Sequence, residues 1–356
     1  MKRFAPKLAG KTAIVFVCQL QHREQLLVRR CEVHVHKNGL THAMDHKDER
    51  SRTGGSRGIG RACCLALAKC GANVVVAAKT AEDDPRLPGT IHSVVREIVQ
   101  AGGTAMAFQL DVQNEQQIEA CVAAAVKTFG GVHIVINNAS TLWWQPIEDT
   151  PSARFDLMYR INVRGSFLLT KAALPHMKKA GWGHVITMSP PIDPEAEGLA
   201  SRVAYSVTKF GMTLVALGVN AEANKFGVAG NALWPRTVIE SSASENFQMG
   251  DRSMWRKASI LSDCVLALLE QDQRTFDNKA WIDEDLLRHL GCKDEHFVQY
   301  RCDPDVEPPS MADLARISAG GVFERSKPPP VEARAKLAKE YKEQFEKKQA
   351  PSKGKL

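Results

Sequence analysis

A chain of 356 residues, 44% hydrophobic and 24% charged, has a globular composition and the length for one large α/β domain with appendages. No apolar run reaches the ~18 residues a membrane span needs, and the opening "MKRFAPKLAG" lacks the apolar region of a secretory signal. The net charge of +7 is concentrated between Cys18 and Arg52 and in the Lys-rich end, with no basic stripe interleaved with aromatics, so nucleic acid is not an expected partner; nine cysteines without C-x-x-C spacing indicate reduced thiols.

The first element is a buried strand, residues 11–17. A His- and Arg-rich segment follows, with no helical or strand period. Deleting residues 16–52 leaves "LAGKTAIVTGGSRGIG", a seamless strand-to-turn junction, and deleting 18–52 leaves a slightly longer one. The most economical explanation is translated non-coding sequence, such as a retained intron. A zinc site is the functional alternative, from Cys18, Cys31, His34, His36, His42 and His46, but their spacing matches no zinc module and no metal is expected. A surface excursion is the third explanation, and it would interrupt the turn that follows.

That turn, Thr53-Gly54-Gly55-Ser56-Arg57-Gly58-Ile59-Gly60, fits T-G-x-x-x-G-I-G. Its glycines permit a tight turn and close approach of backbone to a pyrophosphate, which the amino end of the next helix attracts. Helical periodicity in "GRACCLALAKCG" leads to a strand at 73–79, a helix at 90–101, a strand at 104–111, and a helix at 114–128. The strand "VHIVINNAS", a long helix ending near Lys179, "HVITMS", a helix at 203–224, "GVAGNALWP", a helix at 258–269 and "KAWID" complete the pattern. Short apolar runs alternating with helices predict an α/β fold. It is a single doubly wound Rossmann fold, with a seven-stranded parallel sheet and helices on both faces. This domain covers residues 1–302, and residues 303–356 read as a Pro/Lys-rich tail.

Cofactor choice is read at the end of the second strand, where an acidic residue would hold a ribose hydroxyl. Lys79 stands there, and Arg57 adds a second cation, so NADP(H) is expected over NAD(H). Asp111 is placed to meet the adenine, and Asn137-Asn138-Ala139 to line the crevice. In "AYSVTKFG", Tyr205 and Lys209 are four apart and share a helix face. An ammonium beside a phenol favours the phenolate, so Tyr205 can exchange a proton with an alcohol or carbonyl during hydride transfer.

With the glycine turn, "NNA" and Y-x-x-x-K in this order, the chain resembles the short-chain dehydrogenase/reductase superfamily from Leu8 to about Asp285, apart from the insert. "FDLMYRINVRG", "MSPP" and "NALWPRT" resemble its hydroxysteroid dehydrogenase-like members. The resemblance implies Tyr205 as acid–base, Lys209 as its partner and ribose ligand, and Asn162 as the support of a water in the proton relay. It also implies that Pro235 and Thr237 approach the nicotinamide, and that subunits form dimers or tetramers through the long helices. The usual substrate-polarising serine is replaced by Pro190, which leaves Ser189 as the substitute. A sterol-carrier-like lipid domain ordinarily follows in this group, whereas here a linker-like tail follows.

Trp143 and Trp144 stand near the crevice mouth, and residues 240–255 where a substrate lid is expected, so an apolar or lipid-like alcohol or carbonyl is the expected substrate, with packing of both tryptophans into the core as the equal alternative. Gly354-Lys355-Leu356 approaches the S-K-L peroxisomal address, with a cytoplasmic location as the alternative. The rival reading is a non-catalytic nucleotide-binding or interaction protein, its turnover impaired by Pro190 and the insert.

Overall fold

The structure is a computed structural model describing residues 4, 6–16, 58–79, 81, 90–192, 199–241, 244–245 and 249–313. Thr53, Gly54, Ser56 and Arg57, the segment 17–52, the tail from 314 and its final Gly354-Lys355-Leu356 lie outside the described residues.

Strands β1 (Thr12–Phe16), β2 (Asn73–Ala78), β3 (Thr104–Gln109), β4 (Ile134–Asn137), β5 (Gly183–Met188), β6 (Val228–Trp234) and β7 (Ala280–Ile282) form one sheet in the order β3-β2-β1-β4-β5-β6-β7. Every pairing is parallel. Strands β1, β2, β4, β5 and β6 are buried on both faces, which explains their continuous apolar character, whereas edge strand β3 is half-buried. Alternation divides β1 between two cores. Ala13 and Val15 join α1 (Gly58–Lys69), α2 (Ile91–Gln100) and the C-terminal helices, while Ile14 and Phe16 join α3 (Glu115–Phe129) and α5 (Gly165–Ala180).

Local chemistry sets the element ends. Thr90 and Ser93 form a reciprocal cap on α2, and Asn114 accepts the Gln117 N–H to start α3, which left-handed Gly130 stops. The long helix expected before Lys179 is interrupted. Between α4 (Ser152–Met158) and α5, residues Tyr159–Arg164 form a π-helical turn, with the Gly165 N–H donating to the Arg160 carbonyl.

Helix α6 (Val203–Ala223) lies directly on β6. Gly230 permits this: a Cβ there would run into the Ala216 carbonyl oxygen. Asn220 fixes the contact, donating to the Gly230 carbonyl and accepting its N–H, both at 2.7 Å. Helices α7 (Ser259–Leu269) and α8 (Asp283–His289) close the C-terminal side.

The tail begins later than the composition implied. Residues 303–313 belong to the body: Ser310 bridges Thr237, the Met311 N–H donates to the Arg236 carbonyl, and Glu307 pairs with Arg256 and Arg301. Buried ionic partners hold this proline-rich stretch, and proline spacing does not reveal them. Among the described residues no helix is long and apolar enough to cross a membrane.

Candidate active site

The strand order reverses between β1 and β4, so the crevice opens at their carboxyl ends. Asn138 stitches the two, donating from Nδ2 to the Phe16 carbonyl at 3.2 Å, and half-buried Ala139 follows it. Gly58 opens α1 at φ +70°, with the Ser241 Cβ 3.2 Å from where its own Cβ would stand. A side chain would meet both strain and crowding there. Half-buried Ile59 and buried Gly60 complete the entry, and the first turn of α1 carries no acidic residue. An amino end without acid suits the phosphates of a dinucleotide.

Lys79 and Asp111, expected to serve opposite ends of the adenosine, lie together. The Lys79 ammonium is 3.1 Å from the Asp111 carboxylate, at the edges of β2 and β3. Burial works against the Asp111 charge, but the Gln113 N–H and Lys79 outweigh it and hold the carboxyl below its ordinary range. The Lys79 side chain is 51% exposed, so the pair is worth at most about 1 kcal/mol and Lys79 can exchange its partner cheaply.

Tyr205 and Lys209 project from the first turns of α6. Lys209 is 3% exposed; its Nζ donates to the Met188 carbonyl at 2.7 Å and lies 5.9 Å from the centre of the Tyr205 ring. The ammonium also stands 5.2 Å from the Trp234 ring, so the ends of β5 and β6 together hold it against the tyrosine.

Asn162 sits within the π-helical turn, fully buried. Its Oδ1 accepts the Thr141 N–H, and its Nδ2 donates to the Thr141 carbonyl and to Thr208 Oγ1. Thr208 in turn donates to the Tyr205 carbonyl at 2.8 Å. Asn162 therefore ties the loop after β4 to the helix bearing Tyr205. A π-turn recurs at functional sites because it re-aims backbone groups.

Ser189 follows directly on β5. It is completely buried, and its hydroxyl is hydrogen-bonded with Thr213 Oγ1 at 2.9 Å, on the far side of Lys209 along α6. Pro190 restricts it to extended backbone, and Thr213, which donates its proton to the Pro190 carbonyl, draws the run toward α6. Ser189 thereby braces α6 through Thr213.

Pro235 is half-buried and Thr237 buried, beyond the end of β6. Between them the Arg236 N–H donates to the Asp283 carboxylate at 2.9 Å. Asp283 is buried, and burial pushes its carboxyl up to about 6 despite that bond, the Glu284 N–H and Arg256.

Three contributors went unread in the sequence. Thr208 lies inside the Y-x-x-T-K word, where only its contact with Asn162 gives it meaning. Thr213 carries no local signal. Arg202 lies three residues before Tyr205, and its guanidinium covers Trp144 at 5.2 Å while that ring meets Tyr205 edge-on at 6.3 Å. Trp143 is covered likewise by Arg154 at 4.8 Å. Trp144 thus lines the approach to Tyr205.

A doubly wound sheet with a Tyr–Lys pair at its carboxyl edge defines a class, and the short chain dehydrogenase family matches residues 52–249. The chain belongs to the short-chain dehydrogenase/reductase family. It is 38% identical over 292 residues to hydroxysteroid dehydrogenase-like protein 2 of Bos taurus, covering 78% of this chain and 69% of that protein. It is 43% identical over 243 residues to the Xenopus tropicalis protein of that name, covering 68% of this chain and 58% of the relative. A crystal structure of a Xanthomonas campestris protein, described as a dehydrogenase, superposes with a TM-score of 0.71 at 36% identity, over 85% of this chain and 97% of that one. A metagenomic short-chain oxidoreductase in complex with NADP shares the fold at 23% identity and a TM-score of 0.56, over 78% of this chain and 97% of its own.

Proposed function

We propose that the protein is an NADP(H)-dependent oxidoreductase interconverting an alcohol and a carbonyl on an apolar, lipid-like substrate. The observation that carries this reading is the Tyr205–Lys209 pair, held at the carboxyl edge of β5 and bound through Thr208 to Asn162. A bound nicotinamide supplies the hydride donor or acceptor. Tyr205 takes the hydroxyl proton of an alcohol, or returns it to a carbonyl oxygen. Lys209 favours the phenolate by its charge and holds the ribose. Asn162 supports the water through which the proton reaches solvent, and Pro235 and Thr237 border the nicotinamide. Thr53, Gly54, Ser56, Arg57, Gly58, Ile59 and Gly60 cradle the pyrophosphate; Asp111, Asn138 and Ala139 flank the adenosine, and Lys79 takes the 2′-phosphate.

Trp143 and Trp144 support the apolar substrate class. Exposed Phe167 on α5 and Leu214 on α6 support a homo-oligomer, checked by light scattering. The family match begins at residue 52, on the far side of the His/Arg-rich segment, and Phe16 belongs to β1, which supports reading residues 18–52 as foreign to the folded domain. Peroxisomal import through Gly354-Lys355-Leu356 belongs to the same proposal, and a reporter carrying this terminus tests it.

NADPH binding and carbonyl reduction by the intact chain and by Tyr205→Phe test the function. The proposal expects the variant to keep NADPH and lose turnover. Unchanged turnover contradicts it.

A further inference from the structure

The mouth of the crevice holds a cation that the proton chemistry does not use. Arg202 is half-buried and immediately precedes α6, at an end of the helix where the dipole disfavours positive charge. The residue before it, Ser201, has φ +57°, the only left-handed non-glycine among the described residues. Neither feature serves stability. Strain of this kind persists where the surroundings fix a particular side-chain position.

Its guanidinium is fixed on the Trp144 face at 5.2 Å, and Trp144 abuts Tyr205, so Arg202 stands one aromatic ring away from the acid–base. Among the described residues no ion pair joins Arg202 to a carboxylate. Burial pushes it down from the usual guanidinium range, and the nearness of Tyr205 works the other way. Of the two residues after β5, Pro190 has no hydroxyl and that of Ser189 is buried against Thr213. Polar recognition on this side falls to Arg202, whose planar fork matches a carboxylate.

We propose that Arg202 recognises a carboxylate carried by the apolar substrate, so that the preferred substrates are oxo- or hydroxy-acids rather than neutral ketones or alcohols. This rests on the reading of Tyr205 as acid–base. With Trp144 between the two groups, the carboxylate is separated from the reacting carbon by a short carbon spacer that packs on the indole.

The test is a calorimetric titration of the full chain with decanoate and with 1-decanol, in the wild type, Arg202→Gln and Arg202→Lys. The expected result is that decanoate binds more tightly than decanol. Arg202→Gln then weakens decanoate by about tenfold to a hundredfold, leaves decanol within about twofold, and does not change NADPH binding. Arg202→Lys retains part of the preference, which shows that the variants fold and that charge is the cause. Equal binding of the two probes by the wild type overturns the proposal, and so does an equal loss of both in Arg202→Gln; the guanidinium is then satisfied within the chain. Turnover of 4-oxodecanoate and its methyl ester with NADPH separates the two levels. A decanoate preference without any carbonyl reduction leaves the anion site standing and removes the oxidoreductase reading.

Discussion

At the scale of the residue, proton transfer depends on one phenol and one ammonium. Removing the hydroxyl in Tyr205→Phe is expected to cut kcat by about two to four orders of magnitude while the NADPH dissociation constant stays within about threefold. Lys79 and Asp111 make an opposed pair of predictions. Lys79→Ala is expected to weaken NADPH by about tenfold and leave NADH unchanged, whereas Asp111→Asn frees Lys79 and removes an anion, strengthening NADPH. Titrations with both coenzymes check this.

Asp283 gives a pH dependence. Its native carboxyl holds a proton up to about pH 6, above its ordinary 3.8, so between these values the native state binds more protons than the unfolded one. Stability therefore falls as pH rises through that window, and above it the buried charge costs about 3 kcal/mol. Asp283→Asn keeps an acceptor for the Arg236 N–H and is expected to raise Tm by several degrees at pH 8 but not at pH 4. An equal shift at both pH values would show that the carboxylate charge is not the cause.

At the scale of the element, the site depends on how closely α6 lies on β6. Gly230→Ala is expected to displace α6 at Ala216 and to lower both Tm and kcat, because the displaced helix carries Tyr205 and Lys209. Asn220→Ala, which removes two bonds without adding volume, is expected to lower Tm by a few degrees with less effect on kcat. Thermal melts and steady-state rates distinguish the two.

Some of this geometry was legible in the sequence. The bounds of α2 and α3 fall within a residue of the expected ones because Thr90, Asn114 and Gly130 carry their own capping chemistry. Tyr205 and Lys209 were readable because a spacing of four fixes a shared helix face. The π-turn at Tyr159–Arg164 was not, since "YRINVR" has ordinary helical composition and only the packing of Asn162 against Thr141 and Thr208 gives it a reason. The bond between Ser189 and Thr213 was not legible for a related cause: the two partners are distant in sequence.

At the scale of the whole molecule, the C-terminal segment acts as a clasp. Arg256 is 1% exposed and pairs with Glu284 and Glu307, while Ser310 and Met311 bond to the loop holding Pro235 and Thr237. Ending the chain after residue 313 is expected to leave Tm and NADPH binding unchanged. Ending it after 302 takes one partner from a buried cation and is expected to cost several degrees and weaken NADPH. If both truncations behave alike, the clasp does not support the site.

The segment between β1 and α1 bears on the whole account, since the two elements it separates form the cofactor end of the crevice. The central claim is that the body is an NADPH-binding oxidoreductase and that residues 18–52 are foreign to it. The most direct measurement is a fluorescence titration of NADPH against the intact chain and a chain lacking residues 18–52. The account predicts saturable binding by the shortened chain, tighter for NADPH than for NADH, with the intact chain weaker or silent. A shortened chain that fails to bind NADPH while remaining folded would contradict it.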